Sequence, residues 1–149
     1  MSSVALTSVV RAESRSTSRG RFALLGLATV VAAVVANVIV YYLGGALVSY
    51  DPTFVILQNA GGAISFTLIP AVIAVLLYAA LLRFSRNPVR VFTVIAAVVL
   101  ALSVIPDLTY IPTVAGSSAA QTTVLILMHF VAAGVIVGML ANYARPQAR

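Results

Sequence analysis

Four apolar stretches, each close to the length of a bilayer crossing, constrain this chain more than any other feature. A helix rises about 1.5 Å per residue and must cover about 30 Å of hydrocarbon, so a span needs roughly 20 apolar residues. The stretches are 22–43, 63–82, 88–105 and 120–141. Hydrophobic residues make up 62% of the 149-residue chain and charged residues 8%. A soluble domain carries about 25% charge, and a core this short could not hide so much apolar surface. Strands are a poor reading, because no sustained apolar/polar alternation appears and alanine is abundant. The expected fold is all-α: an integral membrane four-helix bundle.

The boundaries between the stretches carry local signals. Asn87-Pro88 reads as an N-cap followed by proline at the first helical position, where its missing N–H costs nothing. Pro106 is expected to stop the third helix. Ser118 and Gln121 have the spacing of a capping box at the start of the fourth. Gly44-Gly45 is expected to end the first. Asp51-Pro52 looks like another helix start, so 52–58 reads either as a short outer interfacial helix or as a tilted extension of the second span. In the first case Gly61-Gly62 separates the two.

Charge sets the expected orientation. The nine cations are all arginine, and the net charge is +6. Arg11, Arg15, Arg19 and Arg21 precede the first span, Arg83, Arg86 and Arg90 lie between the second and third, and Arg145 and Arg149 follow the fourth. With four crossings all nine gather on one side, which the positive-inside rule makes cytoplasmic. Residues 1–20 read as a disordered basic cytoplasmic tail, and 144–149 as a second tail. Val34-Val35-Ala36 resembles a signal cleavage site. The long basic leader and the apolar run beyond Ala36 favour a retained span. The dispersed arginines fit membrane orientation better than nucleic acid, so no nucleic-acid partner is expected.

Few residues have the chemistry for a site. His129 is the single histidine and lies near the middle of the fourth span. An ionisable group at that depth is a functional candidate by default; a packing hydrogen bond between helices is the plainer reading. Asn37 lies on a face of the first span that reads Gly26, Val30, Ala33, Asn37, Tyr41, Gly44. Its depth is within about 5 Å of His129 by helical rise, so an Asn37–His129 contact is a reasonable expectation. Asp51 and Asp107 fall at the outer boundary and are expected to be hydrated there. Gly134 and Gly138 form a small-xxx-small helix-packing pattern. Pro70 frees the Phe66 carbonyl and is expected to kink the second span.

Absences narrow the function further. With no cysteine and one histidine, no usual zinc or haem site forms within one chain, and no cofactor is expected. The sequence has no P-loop, Rossmann fingerprint, His-Glu-x-x-His or paired intramembrane carboxylates. A non-enzymatic structural or accessory subunit is the first expectation, with the bilayer and either a second copy or another membrane protein as partners. The alternative is a small-molecule, ion or proton pathway using His129 and Asn37 in an oligomer.

The third and fourth spans also carry a resemblance. The run Ser103-Val104-Ile105-Pro106-Asp107-Leu108, a Pro/Gly/Thr-containing loop, and Leu125-Ile126-Leu127-Met128-His129-Phe130-Val131-Ala132-Ala133 follow a basic inner loop. This layout resembles small four-span proteins of high-GC Gram-positive bacteria that are catalogued as a domain of unknown function. The resemblance spans roughly residues 20–142 and implies the same topology. It draws attention to His129 and implies no activity.

Overall fold

The computed structural model describes residues 2–143, with side chains described from residue 20 to residue 142. Among the described residues all regular secondary structure is helical, with no strand. The helices are α1 (Ser2–Leu47), α2 (Ala60–Phe84), α3 (Pro88–Thr109) and α4 (Ala119–Tyr143), with a single 3-10 turn at Ile111–Thr113. Each contains a segment long and apolar enough to cross a membrane. The chain is therefore a multi-pass membrane protein. The tail expected at 144–149 lies outside the described residues. Of the tail expected at 1–20, only Gly20 falls within the residues whose side chains are described, although the α1 trace begins at Ser2.

The helices pack unevenly. α1 lies against both α2 and α4, and α3 packs mainly on α4. α3 is the least buried of the four spans. Lipid is as apolar as leucine, so close approach between helices rests on small residues rather than on hydrophobic driving force. The face read through Asn37 does this work: Gly26, Val30, Ala33, Asn37 and Gly44 are all buried. A Cβ on Gly26 would come within 2.7 Å of Val75 Cγ1, and one on Gly44 within 2.8 Å of Val124 Cγ1. Gly44 thus brings α1 against α4 and does not end the helix, which runs on to Leu47.

Two apolar clusters fill the interior. At the arginine end, Val30, Ala33, Ala71, Tyr78, Phe92, Ile136 and Leu140 pack together. Phe92, which a purely positional reading would assign to an interfacial belt, instead sits edge-on to Tyr78 with ring centroids 4.9 Å apart. The opposite, arginine-free end holds Phe54, Leu57, Ala63, Ile111, Val124, Leu125 and Met128.

The segment before α2 departs from both readings of the sequence. Residues 51–59 form successive turns, neither an interfacial helix nor an extension of the span. The Asp51 carboxylate accepts from the Thr53 N–H at 2.8 Å and from the Thr53 hydroxyl at 2.5 Å, an Asx turn that diverts the chain away from helix. Those two bonds hold the exposed Asp51 carboxyl below the usual carboxylate range. Phe54 and Leu57 then point inward and are fully buried. Tyr41 donates its hydroxyl to Leu57 O at 3.1 Å, and Tyr50 donates to Tyr41 O at 2.8 Å, which stitches the segment to α1. α2 starts at Ala60 under an Asn59 cap whose side chain accepts from Gly61 N at 2.9 Å. Gly61 and Gly62 therefore belong to the first turn of α2 and do not separate two helices.

The third helix also differs from expectation. Pro106 lies inside α3, which continues to Thr109, and the Tyr110 N–H bonds to Pro106 O at 2.8 Å. A proline removes one hydrogen bond, and here the following turn closes without it. Asn87 does occupy the N-cap position of α3, but its side chain makes no capping bond. At α4 only half of the capping box forms: Gln121 N donates to Ser118 Oγ at 3.3 Å, while the Gln121 side chain is buried with neither amide atom hydrogen-bonded.

Candidate functional site

Because α3 runs through Pro106, Asp107 is carried onto the side of the helix that meets α4. Its expected hydration at an outer mouth is not observed: Asp107 is buried. Its Oδ2 lies 3.1 Å from Nδ1 of His129. The same nitrogen lies 2.9 Å from Leu125 O, one turn back along α4. The buried Oδ2 has no hydrogen-bond partner; its approach to the imidazole is an ion-pair contact. The two side chains differ in exposure, 37% for His129 and 8% for Asp107. An acid and an imidazole within the spans are expensive to bury alone, and their pairing ties the lightly packed α3 to α4.

Asn37 does not join them. Its Nδ2 donates to Thr67 Oγ1 on α2 at 2.7 Å, and the Thr67 hydroxyl donates in turn to Ala63 O at 2.7 Å. The expected Asn37–His129 contact is thereby replaced by two separate polar joints, one between α1 and α2 and one between α3 and α4. Depth along a span says nothing about which way a side chain turns around its helix. Thr67 was the missed partner. Its signal was one of the few hydroxyl residues on the second span, beside Ser65 and Tyr78, which side-chain bonding to the preceding turn makes easy to dismiss. Replacing Thr67 with valine should cost about 1 kcal/mol by leaving Asn37 Nδ2 without its acceptor, measured by unfolding in detergent micelles. The Asn37→Leu/Thr67→Val double variant should lose less than the sum of the singles.

The remaining candidates fall elsewhere. Asp51 stays in its exposed turn, away from the pair. Pro70 lies on the exposed face of α2. Gly134 and Gly138 are exposed too, and a Cβ added to either meets nothing within 4 Å. The stripe they form is open and serves no contact within the described chain. No group of three or more histidine or acidic side chains with metal-binding geometry occurs among the described residues.

A groove of about 450 Å3 opens at the arginine-free end, where the close of α3 meets the start of α4. Leu108 and Pro112 form one wall, and Ser118, Thr122 and Ile126 form the other. On α4, Thr122, Ile126 and His129 follow at steps of four and three residues, so they share a face. On α3, Leu108 directly follows Asp107.

A protein-family model described as "Family of unknown function (DUF6069)" matches residues 17–146, a stretch that takes in all four membrane-spanning segments. The chain belongs to this family. No curated protein and no solved structure shows significant similarity to it. The DUF6069 match includes both members of the His129–Asp107 pair as well as Asn37 and the Gly134/Gly138 stripe.

Proposed function

We propose that the protein is a non-enzymatic accessory subunit of the cytoplasmic membrane, with both termini on the cytoplasmic face. In this reading it works by docking against another membrane-embedded chain or a second copy. The observation that carries the reading is the open Gly134/Gly138 stripe on α4. Membrane helices use such stripes to approach one another, and the described residues of this chain leave it bare. The buried polar groups also fit a packing role: Thr29 bonds its own helix, and Asn37 pairs with Thr67. The cytoplasmic placement of the termini rests on the positive-inside rule applied to the arginines.

The Gly134→Ile/Gly138→Ile variant tests this reading. Because a Cβ at these positions meets nothing, thermal stability and helix content should stay at wild-type values. Complexes extracted in mild detergent and sized by native electrophoresis should fall to the single chain. If both proteins run as the single chain, or the variant keeps the larger complex, the docking reading fails. A second reading, an ion or proton pathway in an oligomer, is favoured by the His129–Asp107 pair alone. Asn37 drops out of that reading because its amide nitrogen bonds Thr67.

A further inference from the structure

The hairpin between α2 and α3 concentrates cations. Arg83 lies in the last turn of α2, Arg86 in the three-residue turn 85–87, and Arg90 in the first turn of α3. All three are exposed, and Arg21 of α1 adds a fourth exposed cation at this end. Among the residues whose side chains are described, no carboxylate stands near them. Asp51 lies in the turns at the opposite end, and Asp107 lies about 25 Å from Arg90 along α3 by helical rise. The start of α3 adds to the imbalance. Its first turn holds no acid, and the Asn87 side chain makes no capping bond. The N–H groups that open a helix lack intrahelical partners, so here they add partial positive charge beside Arg90.

The surface next to these cations is apolar. The Arg83 guanidinium lies over the Phe84 ring, 5.5 Å from its centroid, and Phe84 is 80% exposed. An exposed aromatic ring at the end of a span sits at the headgroup level of a bilayer. On α3, Val94, Val98 and Leu102 follow Arg90 at steps of four residues, so they share its face. All three are more than half exposed. One face of α3 therefore has a cation at its head and a bare apolar stripe below it.

We propose that the Arg83/Arg86/Arg90 cluster binds an anionic phospholipid, whose phosphate rests among the guanidinium groups and whose acyl chain lies along Val94, Val98 and Leu102. Charge decides the occupant. Guanidinium groups present paired N–H donors that match phosphate oxygens. A zwitterionic lipid brings its own cation into a cluster that already has an excess of them, whereas a lipid with a net negative headgroup brings none. A second copy of this chain would bring the same arginines and be repelled there. The site goes beyond docking through Gly134 and Gly138 and uses neither residue.

The chain has no tryptophan, so Val94→Trp places a single fluorescent reporter on this face. The full-length variant is reconstituted in phosphatidylcholine vesicles with graded minor fractions of lipid brominated in its acyl chains, either phosphatidylglycerol or phosphatidylcholine. The relative affinity read from quenching should favour phosphatidylglycerol by about fivefold or more, the contribution of a single arginine near an anionic surface. Arg90→Gln alone should lower that ratio. Arg83→Gln/Arg86→Gln/Arg90→Gln should keep helix content, since all three side chains are exposed, and should bring the two lipids level. Leu127→Trp, on the exposed face of α4 toward the arginine-free end, should show no preference. Equal quenching by the two lipids at Val94→Trp overturns the proposal, as does a preference that survives the triple variant. A preference of the same size at Leu127→Trp also overturns it, because that would be a general attraction of a basic chain to an anionic surface.

Discussion

His129→Leu is expected to destabilise the bundle by about 3–5 kcal/mol, and Asp107→Leu by a similar amount, while the His129→Leu/Asp107→Leu double variant should unfold much nearer the wild type. The asymmetry follows from burial. With leucine at 129, the Asp107 carboxyl stays 8% exposed at the α3–α4 joint and its Oδ2 loses its one close polar neighbour. With leucine at 107, the imidazole keeps only the Leu125 carbonyl. Removing both exchanges a polar joint for an apolar one, which membrane surroundings tolerate. Denaturant titration of helical signal in micelles measures all four proteins. A double variant as unstable as the sum of the singles would show that the two side chains do not act on each other.

Gly116→Ala should cost about 3 kcal/mol, read by the same titration. Two penalties add. Gly116 has φ +73°, a left-handed conformation that costs any residue with a Cβ about 1–2 kcal/mol. The added Cβ would also fall 2.9 Å from the Phe54 backbone nitrogen and 3.0 Å from Asp51 Oδ1, in addition to touching Thr53. Phe54 is wholly buried, and its backbone has no room to retreat without lifting the ring out of the arginine-free cluster. Gly45→Ala makes a useful contrast: its Cβ would meet only the Tyr50 ring at 3.1 Å, and that ring can shift. A small loss at 45 and a large one at 116 is the expected pattern. Equal losses would mean that the backbone conformation at 116 contributes nothing.

The four spans were legible because each is a long run of one kind of residue, and a bilayer selects on that property alone. The buried face of α1 was legible for a related reason: it joins the small residues Gly26, Ala33 and Gly44 to the polar Asn37. What composition does not encode is rotation and register between helices. Asn37 and His129 turn to different neighbours, and Asp107 is carried to the α3–α4 contact because α3 survives its proline. The 51–59 turns were misread for a different reason. Asp51-Pro52 is a valid helix start, and the Asx bond to Thr53 competes for the same chain. The inward turn of Phe54 and Leu57 depends on the space left between α1, α2 and α4, a tertiary fact with no local signature.

α3 buries two side chains, Phe92 near one end and Asp107 near the other. Between these points the helix runs about 22 Å, from residue 92 to residue 107, with no side chain fully buried and only Ile95, Ala96, Leu100, Ser103 and Val104 half-buried. A rod held firmly at two separated points and only partly covered between them gains little from any one neighbour along its length. Acyl chains can occupy that middle stretch as readily as protein, so bilayer thickness and chain saturation should alter how α3 leans more than any point change at Val94, Val98 or Leu102.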